Sequence, residues 1–126
     1  MRAIDTNVLV RLITGDDPGQ LHAAEDFVER GAWVSQLVLA EAAWVLASVY
    51  QKEASEIANA IDMLLNHDHL TIENSEVVSL ALDNFRVKLT VGFSDCLVLE
   101  IARKAGHLPL GTFDRSLGKL NGAERL

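Results

Sequence analysis

The reading of the fold starts from Arg2-Ala3-Ile4-Asp5-Thr6-Asn7-Val8-Leu9-Val10-Arg11-Leu12-Ile13. Arg2 to Ile4 predicts a short strand. An acid follows at once, and from Thr6 to Ile13 the apolar residues Val8, Leu9, Leu12 and Ile13 recur at helical spacing. Strand, carboxylate, helix is the order to look for in the rest of the chain.

Working outward, Gly15-Asp16-Asp17-Pro18 ends one helix and begins another, with Asp17 placed to cap and Pro18 suited to a first turn. The second helix is predicted to run to about Arg30 and Ala32-Trp33-Val34 to form a second strand. Leu37 to Tyr50 reads as a helix apolar nearly all round, hence buried. Glu53 to Leu65 carries Ile57, Ala60, Ile61, Leu64 and Leu65 on one stripe. Leu70 to Glu73 predicts a third strand, and Ser75 caps a helix running through Val77, Leu80, Ala81 and Phe85. Ser94 or Asp95 opens a further helix that stops at Ala105-Gly106. Pro109 to Phe113 makes a fourth strand, with a helical turn at Arg115 to Leu117.

Strands alternating with helices imply crossover connections and a parallel sheet covered on both faces. The predicted class is α/β, a three-layer α/β/α sandwich with a short central parallel sheet. Neither repeats nor linker composition interrupt residues 1–126, which are expected to form a single domain. Right-handed crossovers would put the carboxyl ends of the strands on one rim, where such sheets bind ligands.

Composition narrows the function. With 49% apolar and 23% charged residues the chain is neither a disordered tail nor collagen-like. A single cysteine, Cys96, excludes a disulfide framework and a cysteine-cage zinc site. Met1 to Asp5 leaves no room for a signal-peptide core, and the most apolar stretch, interrupted by Glu41, falls short of the roughly 18 residues of a membrane span. A soluble, cytoplasmic protein without membrane contact is expected. The net charge of −7 argues against general affinity for polyanions, although residues 103–126 concentrate Arg103, Lys104, Arg115, Lys119 and Arg125.

Four carboxylates stand out. Asp5 ends the first strand, Asp114 ends the fourth, Asp95 opens a helix, and Glu41 is the only charge between Arg30 and Lys52. Singly, each Asp is a good helix cap. Glu41 has no such explanation: a carboxylate inside a buried helix costs several kcal/mol unless paired, on the order set by desolvation. Together, several carboxylates converging on one rim would repel one another unless a divalent cation neutralised them. Hard oxygen ligands suit Mg²⁺ or Mn²⁺, which can activate water for attack on a phosphodiester.

Asp5-Thr6-Asn7 after the first strand, Glu41 in the third helix, Phe93-Ser94-Asp95 and Thr112-Phe113-Asp114 together resemble the motifs of PIN-domain nucleases. The size, the start at Met1 and the basic C-terminal segment are most similar to VapC-type toxins of type II toxin–antitoxin pairs. The resemblance implies that Asp5, Glu41, Asp95 and Asp114 form an acidic metal site supported by Thr6, Asn7 and Thr112. It further implies Mg²⁺- or Mn²⁺-dependent endoribonuclease activity on RNA, a homodimer, and a cognate antitoxin as inhibitor.

Other candidates read as structural. His67-Asp68-His69 fits a helix end better than a metal ligand pair, and Cys96 fits a buried thiol better than a nucleophile. Trp33, Trp44 and Tyr50 are expected to pack in the core or a dimer rather than stack on bases, and Arg11 to be an ordinary exposed charge. Two other classes compete with a nuclease. A phosphotransfer or phosphatase domain would need further acids near Asp5, where Asn7 stands instead. A non-catalytic binding module would keep the acids only as caps and ion pairs.

Overall fold

A computed structural model of the chain describes residues 1–88 and 90–126. It is a mixed α/β fold with six α-helices: β1 (Arg2–Ala3), α1 (Thr6–Thr14), α2 (Pro18–Val28), β2 (Ala32–Val34), α3 (Gln36–Ser48), α4 (Ala54–Leu65), β3 (Leu70–Ile72), α5 (Ser75–Val87), α6 (Phe93–Ala105), β4 (Leu110–Thr112), a 3-10 turn (Leu117–Lys119) and β5 (Ala123–Arg125). The chain divides into two compact units, Met1–Ser75 and Glu76–Leu126.

In the first unit β1, β2 and β3 lie side by side as a parallel sheet, with Ala32 opposite both Arg2 and Leu70. Ala32, Val34, Leu70 and Ile72 are buried, while Trp33 and Thr71 on the opposite face are exposed, so these strands follow a period of two. Helix starts follow the local chemistry. Asp5, Asp17 and Ser35 cap α1, α2 and α3 by accepting from the backbone N–H of Val8, Gln20 and Val38. Pro18 occupies the first turn of α2, and a Glu53–Glu56 capping box opens α4. Gly15 ends α1 at φ 61°, a left-handed conformation that suits glycine.

Helix α3 departs from expectation. Leu39, Ala42, Ala43 and Leu46 are buried, but Leu37 is 69% and Trp44 is 64% exposed. A sequence apolar on every side had implied a fully buried helix; in the structure α3 buries one side and leaves Leu37, Trp44 and Glu41 in water.

The second unit packs α5 and α6 residues Val78, Ala81, Leu82, Phe85, Phe93, Cys96 and Leu99 out of solvent, with Phe85 and Phe93 edge to face at 6.0 Å. Its sheet is a parallel pair, β4 with β5, and β5 lies outside the predicted strands. Gly118 sits where β5 crosses the 3-10 turn. A Cβ there would lie 2.8 Å from that of Arg125, a close approach that only glycine allows.

Candidate active site

In the first unit the site is built at the start of α1. Asp5 is exposed, and its Oδ1 accepts from the Val8 N–H at 3.0 Å, so it is a true helix cap. The bond engages one carboxylate oxygen. Asn7 and Asp5 open onto a cleft of about 360 Å³ shared with Val8, Arg11, Gln20, Ala23, Ala24 and Phe27. Thr6, the first residue of α1, donates its hydroxyl to Glu41 Oε2 at 3.4 Å and brings the α3 carboxylate to that helix end.

Glu41 is exposed, which corrects the argument from burial: solvation, not a buried counter-ion, meets the cost of its charge. Trp44, one turn on, is exposed as well, and Trp33 is 37% exposed, so neither is a core residue. Arg11 is not a free surface charge. Its guanidinium donates to Gln20 Oε1 at 2.6 Å and to the Tyr50 hydroxyl at 2.8 Å, while that hydroxyl donates to Asp16 Oδ2 at 2.9 Å. Thr14 adds a bond to Asp16 at 2.8 Å, and these bonds with Arg11 hold the Asp16 carboxyl below its usual range.

In the second unit Asp114 follows β4. Its backbone N–H donates to Thr112 Oγ1 at 3.0 Å, and its Oδ1 accepts from the Leu117 N–H at 2.7 Å. Thr112 therefore fixes the backbone that carries the acid. Asp95 is placed differently from expectation. Helix α6 begins at Phe93 with Gly92 as its cap, and no side-chain bond caps it. Asp95 sits within the first turn, so capping does not account for it. Partial burial and the nearby Asp114 charge push its carboxyl above the ordinary range.

Elsewhere the structural readings hold. Cys96 is fully buried, and burial with the Asp95 and Glu100 charges pushes its thiol up to about 11, far from a thiolate nucleophile. His67 Nδ1 accepts from the His69 backbone N–H at 3.1 Å, a local turn bond. Sequence reasoning passed over Glu100. It is the one buried charged residue among those described, held by Asn84 Nδ2 at 3.1 Å and by Arg103 Nε at 3.1 Å. Its place in α6 between Leu99 and Ile101 was the available signal.

The donors present are all oxygen: Asp5, Thr6 and Glu41 in one unit, Asp95, Asp114 and Thr112 in the other. That chemistry suits a hard divalent cation, and a cation at Asp95 would offset the desolvation and the smaller Asp114 repulsion that raise its carboxyl. Within neither unit do three His, Cys, Asp or Glu side chains among the described residues group closely enough to hold a metal ion by themselves.

A family model described as PIN domain matches residues 3–123. The chain belongs to the PIN domain family. PIN domains are typically nucleases that hydrolyse phosphodiester bonds and generally depend on a divalent metal. The parallel strands and six helices accord with the PIN fold. No curated protein and no solved structure matched the chain. Among the described residues of this PIN domain, no helix is long and apolar enough to cross a membrane.

Proposed function

We propose that this PIN domain is a Mg²⁺- or Mn²⁺-dependent endoribonuclease, the toxin of a toxin–antitoxin pair, with Asp5, Glu41, Asp95 and Asp114 as the metal-binding acids. The observation that carries the reading is Asp95. It makes no side-chain capping bond, and desolvation first and the Asp114 charge second raise its carboxyl above the ordinary range. In the first turn of α6 its charge complements the helix dipole, and a bound cation would offset the cost of its desolvation.

The cap bond of Asp5 and the turn bond of Asp114 support this reading and do not compete with it. Each of these backbone bonds engages Oδ1, and among the described residues no bond to Oδ2 is formed, which leaves that oxygen for a ligand. Thr112 holds the Asp114 backbone, Thr6 orients Glu41, and Asn7 lies at the mouth of the cleft beside Asp5. When bound, the ion would lower the pKa of a water molecule and neutralise charge on the leaving oxygen of a phosphodiester. The toxin reading brings with it RNA as substrate, a cognate antitoxin as partner and a homodimer, all in the cytoplasm.

The test is Asp5→Asn. Asparagine still caps a helix, so the fold survives while one anionic ligand is lost. The variant should lose Mn²⁺-dependent cleavage of single-stranded RNA and should relieve growth arrest caused by expressing the wild type. Full cleavage by the variant overturns the nuclease reading. Hydrolysis of small phosphomonoesters without any cut in RNA would restore the phosphatase class.

A further inference from the structure

We infer that Phe113 is a base-stacking residue, presenting its ring to one nucleobase of a single-stranded RNA next to Asp114. This rests on the nuclease reading and adds to it the residue that grips the strand.

Phe113 is 81% exposed, the most exposed aromatic side chain among the described residues. Exposure of a single apolar side chain is ordinary in itself. What distinguishes Phe113 is the rigidity of its surroundings. On one side the Thr112 carbonyl accepts from Leu126 N–H at 2.8 Å, and Thr112 Oγ1 accepts from Asp114 N–H. On the other side Asp114 accepts twice, at Oδ1 from Leu117 and at its carbonyl from Gly118 at 3.0 Å, and Leu117 is only 4% exposed. The backbone on both sides of Phe113 is tied down while the ring stands in water.

A ring held this way has already lost the backbone freedom that a flexible loop would lose on binding, so contact with a ligand face is cheap in entropy. Its chain neighbours are Thr112, Asp114 and Arg115, all polar or charged. Arg115 is exposed and has no carboxylate within ion-pair distance among the described residues, which leaves a cation for a phosphate two residues from the ring. An aromatic face, a cation and a metal-binding acid in three consecutive residues match the base, the phosphate and the metal-bridged phosphate of one short stretch of strand. Every base offers a π-face, so such a contact tolerates sequence while demanding unpaired bases.

The experiment compares wild type, Phe113→Ala, Phe113→Tyr and Phe113→Leu in Mn²⁺-dependent cleavage of a labelled single-stranded RNA oligonucleotide. Phe113→Ala should raise KM by about 5- to 100-fold, the range of one lost base stack, with thermal stability unchanged because the ring packs against little. Phe113→Tyr should stay within about threefold of wild type, and Phe113→Leu should not rescue. An abasic residue moved along the oligonucleotide should weaken wild type at one position and leave Phe113→Ala indifferent there. If wild type cleaves RNA and Phe113→Ala or Phe113→Leu matches it, the stacking role is overturned and the nuclease reading stands. If Phe113→Ala cleaves normally yet loses a co-purifying protein, the ring serves a protein partner and the stacking role is likewise overturned. If wild type neither binds nor cuts RNA, both readings fall together.

Discussion

Thr6 and Glu41 belong to different helices, and the Thr6 hydroxyl donates to Glu41 Oε2 across 3.4 Å. The bond is long and partly in water, so it adds little to stability; what it supplies is direction, holding an exposed carboxylate at the start of α1. Replacing Thr6 by Val should cost less than about 1 kcal/mol in denaturant unfolding yet lower metal-dependent cleavage by roughly 10-fold, as loss of a ligand-orienting bond does. Thr6→Ser should restore the activity. A Mn²⁺ activation curve for the three proteins decides the matter.

Asp95 makes the metal-free protein sensitive to pH in a defined sense. Its folded carboxyl is raised above the ordinary 3.8 by desolvation and by Asp114. The folded state therefore holds that proton longer than the unfolded state does, and stability from this group falls as pH rises from 3.8 through the raised value. Asp95→Asn should remove this slope, raise the melting temperature of the metal-free protein at neutral pH, and abolish both cleavage and stabilisation by added Mn²⁺. Thermal melts across pH, with and without the ion, give all the readouts.

Glu100 and Arg103 test the second unit's core. Glu100 is 4% exposed and takes its bonds from Asn84 and Arg103, while Arg103 also donates to the Asn121 carbonyl at 2.6 Å. Arg103→Ala strands a buried carboxylate, at a cost of about 2 kcal/mol given that Arg103 itself is half in water. The denaturation midpoint should fall accordingly. Glu100→Gln in the same background should recover part of the loss by removing the stranded charge.

The Arg11–Tyr50–Asp16 group should behave in the opposite pH sense to Asp95. Bonds from Thr14 and Tyr50, with the Arg11 charge, hold the Asp16 carboxyl below 3.8. Its contribution is complete above 3.8 and is lost as pH falls through the lowered value. Tyr50→Phe should lower the melting temperature most at neutral pH and less in strong acid, where the non-titrating bond from Arg11 to the hydroxyl is the part still lost. A pH-independent loss would show that the hydroxyl acts through Arg11 and packing and not through the Asp16 charge.

Much of this is legible in the sequence itself. The strand–acid–helix order at Arg2 to Ile13 depends on local spacing, as do the caps at Asp5 and Asp17 and the glycine stop at Gly106. The strand β5 was not legible, because Ala-Glu-Arg has no apolar alternation and its ladder partner lies on the far side of a turn. Helix α3 misled for the opposite reason: nearly every residue is apolar, so periodicity carries no information on which side faces water. Asp95 could be singled out as an isolated charge and Asp114 as the acid ending a strand, and repulsion among the acids was expected, but not that desolvation outweighs it at Asp95, which is set by the surroundings in the fold.

Sequence alone determined the α/β class and the order of helices and strands through β4, since short-range backbone bonding and hydrophobic spacing are properties of neighbours along the chain. Only the tertiary structure decided which of the four acids is desolvated and which stand in water. Solvation and electrostatic repulsion depend on what surrounds a group in space, and residues far apart in the chain supply those surroundings.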